Sequence, residues 1–180
     1  MKFWFLGLAL LLWFGGCSEK VGYQVGFVTR EVNGLITLAD ASADTGPRPF
    51  VLATLHAATF LEQSDGKRLH QLRASLARPE RGGRYLVRFD DEVDRVDLIF
   101  VAAGYIPARA SFDRTLGVSA YSFDIELKKD PQWHKGYYIG LKAILADYIT
   151  EPRYRLAPKD QLFLGQWMDQ VETDLNHQGQ

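Results

Sequence analysis

Alternating apolar and polar positions in the second half of the chain predict a set of β-strands. Over residues 84–89, the side chains that share one face are Tyr85, Val87 and Phe89. After an acidic turn, residues 96–102 are apolar except for Asp97 and predict the next strand. Residues 121–128 alternate throughout, and one face carries Tyr121, Phe123, Ile125 and Leu127. One apolar and one polar face is typical of an antiparallel sheet at a protein surface.

The beginning of the predicted β region contains a turn signal and a long loop. Asn33 and Gly34 stand between apolar runs at residues 27–29 and 35–38, and this arrangement predicts a hairpin turn. Residues 39–49 are rich in Asp, Ser, Gly and Pro, which predicts a loop.

The segment that follows the loop has no clean periodicity. Residues 50–61 mix alanines with β-branched and aromatic side chains. Because the hairpin signal Asp65-Gly66 comes directly afterwards, we favour a strand there. Residues 69–77 stay open between helix and strand, since their leucines have a helical spacing but the segment is short.

The hydrophobic spacing becomes helical after residue 130. An i, i+3, i+4, i+7 pattern over residues 138–148 predicts an amphipathic helix with the apolar positions Leu141, Ile144, Leu145 and Tyr148. Residues 151–157 contain a proline and predict a linker. Pro158 suits the first turn of a second helix, whose shared face carries Leu164, Trp167, Val171 and Leu175. We therefore predict a helical C-terminal extension over residues 131–180.

The first 17 residues follow a different pattern. Lys2 precedes an uncharged apolar run over residues 3–14, and two glycines then lead to Cys17, the only cysteine of the chain. The run is shorter than the roughly 20 residues that span a bilayer as a helix. This arrangement resembles the signal peptide and lipobox of a bacterial lipoprotein. It departs from that pattern at Phe14, where the lipobox most often has Leu.

The lipoprotein resemblance implies a lipid anchor. Residues 1–16 would be removed as signal peptide, Cys17 would be the site of lipid attachment, and residues 17–25 would form a lipidated tether. Several acyl chains, each contributing about 0.8 kcal/mol per buried methylene, make a stable anchor. Ser18 after the cysteine implies the outer membrane rather than the inner one. Ordinary cleavage with a free thiol and an uncleaved N-terminal anchor remain as alternatives.

Three motifs resemble the carboxypeptidase regulatory-like domains. They are Gly83-Arg84-Tyr85-Leu86-Val87-Arg88-Phe89, Ala103-Gly104-Tyr105 and Ile125-Glu126-Leu127. The resemblance implies a mainly β fold, with an antiparallel prealbumin-like β-sandwich over residues 26–130 followed by the C-terminal α-helices. It also implies an accessory module, because that family mostly supplies modules rather than catalysts.

Composition narrows the class of protein. The 180 residues are 47% hydrophobic and 24% charged, which is a globular composition. A formal net charge of −1 gives no general attraction to nucleic acid, so no nucleic-acid partner is expected. A single cysteine excludes an internal disulfide.

No motif in the sequence carries recognisable catalytic or metal chemistry. The four histidines have no close metal-binding spacing; they are His56, His70, His134 and His177. Residues 117–121 begin like a nucleophile elbow but lack its second glycine. Residues 90–95 alternate acidic side chains like a calcium loop, yet Arg95 stands where the loop needs glycine. We therefore expect no enzyme activity, no metal and no cofactor.

Two groups of side chains are candidate contact surfaces. A basic group suggests contact with anionic headgroups, with a solvated face as the alternative; its members are Lys67, Arg68, Arg73, Arg78 and Arg81. An aromatic group suggests contact with a protein partner or a glycan, with helix-to-sheet packing as the alternative; its members are Trp133, Tyr137, Tyr138 and Trp167.

These observations lead to one expected function and two alternatives. We expect a lipoprotein of the bacterial envelope, anchored in the bilayer through acylated Cys17, that acts as a non-catalytic structural or protein-binding accessory module with an envelope protein as partner. The first alternative is a lipoprotein that binds glycan or peptidoglycan. The second alternative is an envelope hydrolase with an unrecognised site.

Overall fold

A computed structural model describes residues 29–41, 46–62, 68–79, 82–115, 117–133 and 135–178. For residues 58–62, 68–71, 135–137 and 178 the description covers the backbone only. The strands, in chain order, are β1 (Thr29–Leu38), β2 (Phe50–Glu62), β3 (Arg68–Ala77), β4 (Arg84–Asp90), β5 (Val93–Val101), β6 (Ala108–Asp113), β7 (Ala120–Ser122) and β8 (Ile125–Leu127). The α-helices are α1 (Lys135–Thr150) and α2 (Pro158–Gln178), and a 3₁₀ turn, Pro152–Tyr154, lies between them.

The strands form two sheets that face each other as a β-sandwich. Sheet 1 has the order β4-β1-β7, and β8 pairs with the later part of β1. Sheet 2 has the order β3-β2-β5-β6 and is antiparallel throughout. The predicted mainly β fold with C-terminal helices is therefore confirmed. One difference is that β7 and β8 run parallel to β1, because the chain crosses from β6 in sheet 2 before it joins sheet 1.

The space between the sheets holds the first hydrophobic core. Sheet 1 contributes its inward-facing residues, among them Val32, Ile36, Tyr85, Val87 and Phe89. Sheet 2 contributes Val51, Ala53, Val96, Leu98 and Phe100. The rings of Tyr85 and Phe100 meet edge to face with centroids 5.3 Å apart. The strict alternation of β4 thus reflects one buried and one exposed face.

The other face of sheet 2 carries a second core beneath the two helices, which we call the helical layer. Sheet 2 presents Phe50, Leu52, Ala74 and Val101 to this layer, and the helices supply Leu141, Leu145, Leu164 and Val171. Both faces of sheet 2 are therefore covered. This explains why the start of β2 is a continuous apolar run rather than an alternating one.

The predicted hairpin turn at Asn33-Gly34 is wrong, because both residues lie inside β1. Gly34 is required there for a close approach between chain segments. A Cβ atom at Gly34 would stand 1.9 Å from the carbonyl oxygen of Phe123. Glycine within a strand often marks such an approach, and the turn signal hid this role.

Other segments show how well local patterns predicted the elements. Residues 50–61 form a strand as predicted, and residues 69–77, whose pattern does not distinguish helix from strand, lie in β3. The alternating segment 121–128 is not one strand, because Phe123 and Asp124 separate β7 from β8. β6 was missed, since its polar sequence gives little strand signal. Both predicted helices are confirmed, and α1 extends a few residues beyond its predicted ends at each side.

Within the described ranges, neither α1 nor α2 has the length and apolar character needed to cross a bilayer.

Candidate functional site

The structure brings together three of the four aromatic residues predicted as a contact surface, Trp133, Tyr138 and Trp167, which we call the aromatic cluster. The ring centroid of Tyr138 lies 6.1 Å from that of Trp133 and 6.4 Å from that of Trp167. Trp167 also meets Phe50 of β2 edge to face at 5.1 Å. The cluster therefore packs the helical layer onto sheet 2. The side chain of Tyr137 lies outside the described residues.

Tyr138 is the buried centre of this cluster. Its side chain is 2% exposed, and its hydroxyl donates a hydrogen bond of 2.6 Å to the carbonyl oxygen of Met168. Burial raises the pKa of Tyr138 to about 12, with a further contribution from the negative charges of Glu172 and Asp169. A sugar or partner therefore has no open face of this ring to contact, while Trp133 and Trp167 are partly exposed. The role of the cluster as a contact surface stays a prediction.

The basic residues predicted for headgroup contact are only partly within the described structure. Lys67, Arg81 and the predicted lipidation site Cys17 lie outside it, and Arg68 is described by its backbone alone. Their roles stay predictions.

The two basic residues with described side chains lie near carboxylates. The guanidinium of Arg73 is 3.7 Å from Asp90, and that of Arg78 is 3.8 Å from Asp160. Arg78 also lies over the ring of Phe163 at 4.9 Å from its centroid. These contacts offset part of the positive charge that the sequence alone suggests.

A polar network that the sequence did not reveal lies on sheet 2. Asp97 of β5 is its centre: one carboxylate oxygen lies 2.7 Å from His56 Nε2, and the other accepts hydrogen bonds from Arg95 Nε at 2.8 Å and from Ser111 Oγ at 2.7 Å. Strand register creates the network, because Asp97 faces Ser111 across the β5–β6 pair. His56 and Ser111 are far from Asp97 in the chain, so only the strand pairing could have indicated their contacts.

The network does not have the order of a serine hydrolase relay. In such a relay a histidine stands between serine and aspartate, whereas here Asp97 stands between Ser111 and His56. Burial alone would raise the pKa of Asp97, but hydrogen bonds from Ser111, Arg95 and His56 outweigh burial and hold this pKa below its usual value. The arrangement stabilises an ionised carboxylate. Among the residues that the structure describes, no three acidic, histidine or cysteine side chains are grouped as metal ligands.

A pair of hydroxyl groups connects the helical layer to sheet 2 beside this network. The hydroxyls of Thr54 and Tyr148 are 2.8 Å apart and buried. The ring of Tyr148 stacks on that of Tyr154, with centroids 4.3 Å apart. Burial raises the pKa of Tyr148. The pair therefore satisfies two buried polar groups and fixes the end of α1 on the sheet.

A groove lies at the surface of sheet 1, at the break between β7 and β8. We call it the β7–β8 groove. Its volume is about 400 Å³, and it is lined by Asn33, Gly34, Leu35, Arg84, Tyr85, Ser122 and Asp124. This volume falls in the range of small-molecule sites. No sequence pattern indicated the groove, because it depends on the break between β7 and β8.

Hydrogen bonds fix the walls of the β7–β8 groove. The backbone N–H of Leu35 donates to Asp124 Oδ1 at 2.8 Å, and the hydroxyl of Tyr85 donates to the carbonyl oxygen of Phe123 at 2.7 Å. Burial raises the pKa of Tyr85 to about 12, and the negative charge of Asp124 adds to the shift. The Tyr85 hydroxyl therefore stays protonated and holds its bond at physiological pH.

Comparison with known proteins gives a likeness of fold only. No protein-family model matches the chain, and no curated protein matches it. Similar solved structures include the Bacillus anthracis TIE protein, with 10% identity, a TM-score of 0.37, and coverage of 57% of this chain and 17% of that chain. A Streptococcal ancillary pilin matches with 14% identity, a TM-score of 0.29, and coverage of 59% of this chain and 31% of that chain.

An enzyme is also among the similar structures, and it corrects one expectation. Chlorocatechol 1,2-dioxygenase from Pseudomonas putida matches with 11% identity, a TM-score of 0.37, and coverage of 57% of this chain and 61% of that chain. The chain thus spans less than two thirds of the length of each of these three proteins. The expectation that this protein is not an enzyme was wrong as stated, since enzymes occur among its structural neighbours. At this TM-score the likeness assigns no activity to the chain.

Proposed function

We propose that the protein is a lipoprotein of the bacterial envelope, with the sandwich and helical layer held next to a membrane as a structural or protein-binding module. The N-terminal sequence carries this proposal: Lys2, an uncharged apolar run, two glycines and Cys17. By the same resemblance, Ser18 supports the outer membrane as the location. The fold is compatible with such a module, because both of its hydrophobic cores are enclosed between layers of the described structure.

The distance between the proposed anchor and the folded body is short. Residues 18–28 separate Cys17 from the first described residue, Thr29. Even a fully extended chain spans at most about 3.6 Å per residue, so this segment reaches about 40 Å. The sandwich would therefore stay close to the membrane surface, where any partner would also have to be.

Exposed apolar side chains on the two helices support the protein-binding role. Three large ones are exposed: Ile139 (60%) and Ile144 (38%) of α1, and Leu162 (63%) of α2. Burying such a side chain in a contact gains about 1.5–3 kcal/mol relative to leaving it in water. An envelope protein that covered any of these side chains would therefore gain affinity from surface that is otherwise unfavourable.

Metabolic labelling with a radioactive fatty acid tests the lipid anchor. The wild-type protein should take up the label and sediment with membranes, while Cys17→Ser should do neither. A substitution elsewhere in the tether, Ser18→Ala, serves as the control and should keep the label. Equal labelling of the wild type and Cys17→Ser would refute the anchor.

Site-specific photo-crosslinking in intact envelopes tests the partner. A photoreactive residue at Ile139 should yield one discrete protein adduct, whereas the same residue at the exposed Lys128, beyond β8, should not. The absence of any adduct from Ile139, or the same adducts from both positions, would speak against a partner on the helical layer.

A further inference from the structure

We propose that the β7–β8 groove binds a small zwitterionic ligand of the short-peptide class, with its carboxylate at Arg84 and its ammonium group at Asp124. The inference goes beyond the proposed function, because it names a ligand site in sheet 1 rather than a role for the helices. It rests on the charges, spacing and hydrogen-bonding groups that line the groove.

Among the residues that the structure describes, no carboxylate offsets the charge of Arg84, whereas one lies close to Arg88 on the same strand. Arg88 lies four residues further along β4, and its Nε is 3.8 Å from a carboxylate oxygen of Glu31. Within the ranges that the structure describes, no carboxylate pairs with Arg84, and its side chain is exposed. A guanidinium offers paired N–H donors that match the geometry of a ligand carboxylate.

Asp124 supplies the opposite charge across β1. Its Oδ1 accepts a hydrogen bond from the backbone N–H of Leu35, and this bond fixes the carboxylate. Oδ2 takes no part in that hydrogen bond. Arg84 stands opposite the same residue, Leu35, on the other neighbouring strand. The two charges therefore flank β1 on either side.

The spacing of the strands sets the length of the ligand. Neighbouring strands lie about 4.8 Å apart, so two strand spacings separate the backbones of Arg84 and Asp124 by about 10 Å. The long arginine side chain shortens the gap between the charged groups. A dipeptide, whose ends are about 7 Å apart when extended, spans more of this separation than a single amino acid does.

The remaining groups in the groove favour this ligand over a sugar ring. The side-chain nitrogen of Asn33 donates to Glu31 at 3.2 Å, and its side-chain oxygen can accept a hydrogen bond from a ligand in the groove that Asn33 lines. The one aromatic lining residue, Tyr85, is only 3% exposed and offers no open face for stacking. The hydrogen bonds that hold Asp124 and Tyr85 make the groove pre-formed, and this lowers the cost of binding.

Isothermal titration calorimetry of the full-length protein in detergent, with L-alanyl-L-alanine as the probe, tests the proposal. Arg84→Gln and Asp124→Asn should each weaken binding by about tenfold or more, as expected for the loss of a charge-assisted contact. Asp124→Asn retains an oxygen that accepts the Leu35 N–H, so the groove should keep its shape. The matched control Arg88→Gln should bind like the wild type, because Arg88 is outside the groove.

Altered probes test the two ends of the ligand separately. N-acetylation removes the ammonium charge and amidation removes the carboxylate, so each modified dipeptide should bind about tenfold more weakly. Free alanine should also bind more weakly, because it cannot reach both charges. No heat of binding at millimolar dipeptide, equal binding by Arg84→Gln, or stronger binding of glucuronate than of the dipeptide would each overturn the proposal.

Discussion

Gly34 shows how one residue lets two parts of sheet 1 approach each other. A Cβ atom at this position would meet the carbonyl oxygen of Phe123 at 1.9 Å and the ring of Tyr85 at 3.1 Å. Because the first obstacle is backbone, Gly34→Ala should force a shift and lower the free energy of unfolding by about 1–3 kcal/mol. Urea unfolding followed by circular dichroism measures this change.

Gly140 provides the control for that substitution. It lies in α1 with nothing within 4 Å of a Cβ atom. Gly140→Ala should therefore raise the free energy of unfolding by about 0.5–1 kcal/mol, because alanine is a better helix former. If both substitutions raised the free energy of unfolding, the chain segments would not approach each other closely at Gly34.

Asp97 links the stability of the sandwich to pH. Its pKa is lower in the folded protein than its usual value, so ionised Asp97 stabilises the fold above the unfolded pKa of about 3.9. This contribution is lost as the pH falls through the folded pKa. Asp97→Asn should therefore lower the free energy of unfolding at pH 7, and its difference from the wild type should shrink below about pH 4.

Unfolding of both proteins in urea at a series of pH values measures this linkage. Asp113→Asn is a useful control, because Asp113 is an exposed carboxylate at the end of the neighbouring strand β6. A stability difference for Asp97→Asn that stayed constant from pH 7 to pH 3 would show that the network does not depend on charge.

At the scale of single residues, the sequence predicted little of either candidate site. The network around Asp97 joins strands β2, β5 and β6, so its members are brought together only by register. Arg84 and Asp124 likewise lie on either side of β1 only because β4 and the connection between β7 and β8 flank that strand. Local patterns record which face a side chain occupies but not which strand lies beside it.

At the scale of elements, α2 depends on one buried stripe. Leu164 is fully buried in the second core, while Leu162, two residues earlier, is 63% exposed. Leu164→Ala should lower the free energy of unfolding by about 2–5 kcal/mol, and Leu162→Ala should change it by less than about 0.5 kcal/mol. Chemical unfolding of the two variants measures the two changes in the free energy of unfolding. Equal changes would show that Leu164 does not lie on the buried side of α2.

The elements themselves were predictable where one face is buried and the other is wet. β4 and both helices have that pattern, and their positions agreed with the sequence. The pattern was ambiguous for β2 because the first core covers one of its faces and the helical layer covers the other. The sequence pattern did not predict β6, which lies at the edge of sheet 2. Alternate residues of β6 are exposed there, and the residues between them are only partly buried.

At the scale of the whole molecule, sheet 2 is shared between the sandwich and the helical layer. Phe50, Leu52 and Val101 are completely buried beneath the helices. A variant that ends at Asp130 would expose this face to water. It should aggregate and show no cooperative thermal unfolding, as followed by size-exclusion chromatography and calorimetry. A soluble monomer with a sharp transition would show that residues 26–130 fold independently.

The function proposed here depends on where the chain is anchored more than on any single site in the fold. The most direct measurement is intact-mass spectrometry of the protein purified from the membranes of its native host. The account predicts a chain that begins at Cys17 and carries the added mass of a diacylglyceryl group and an N-linked acyl chain. A chain that begins at any other residue, or an unmodified thiol at Cys17, would contradict it.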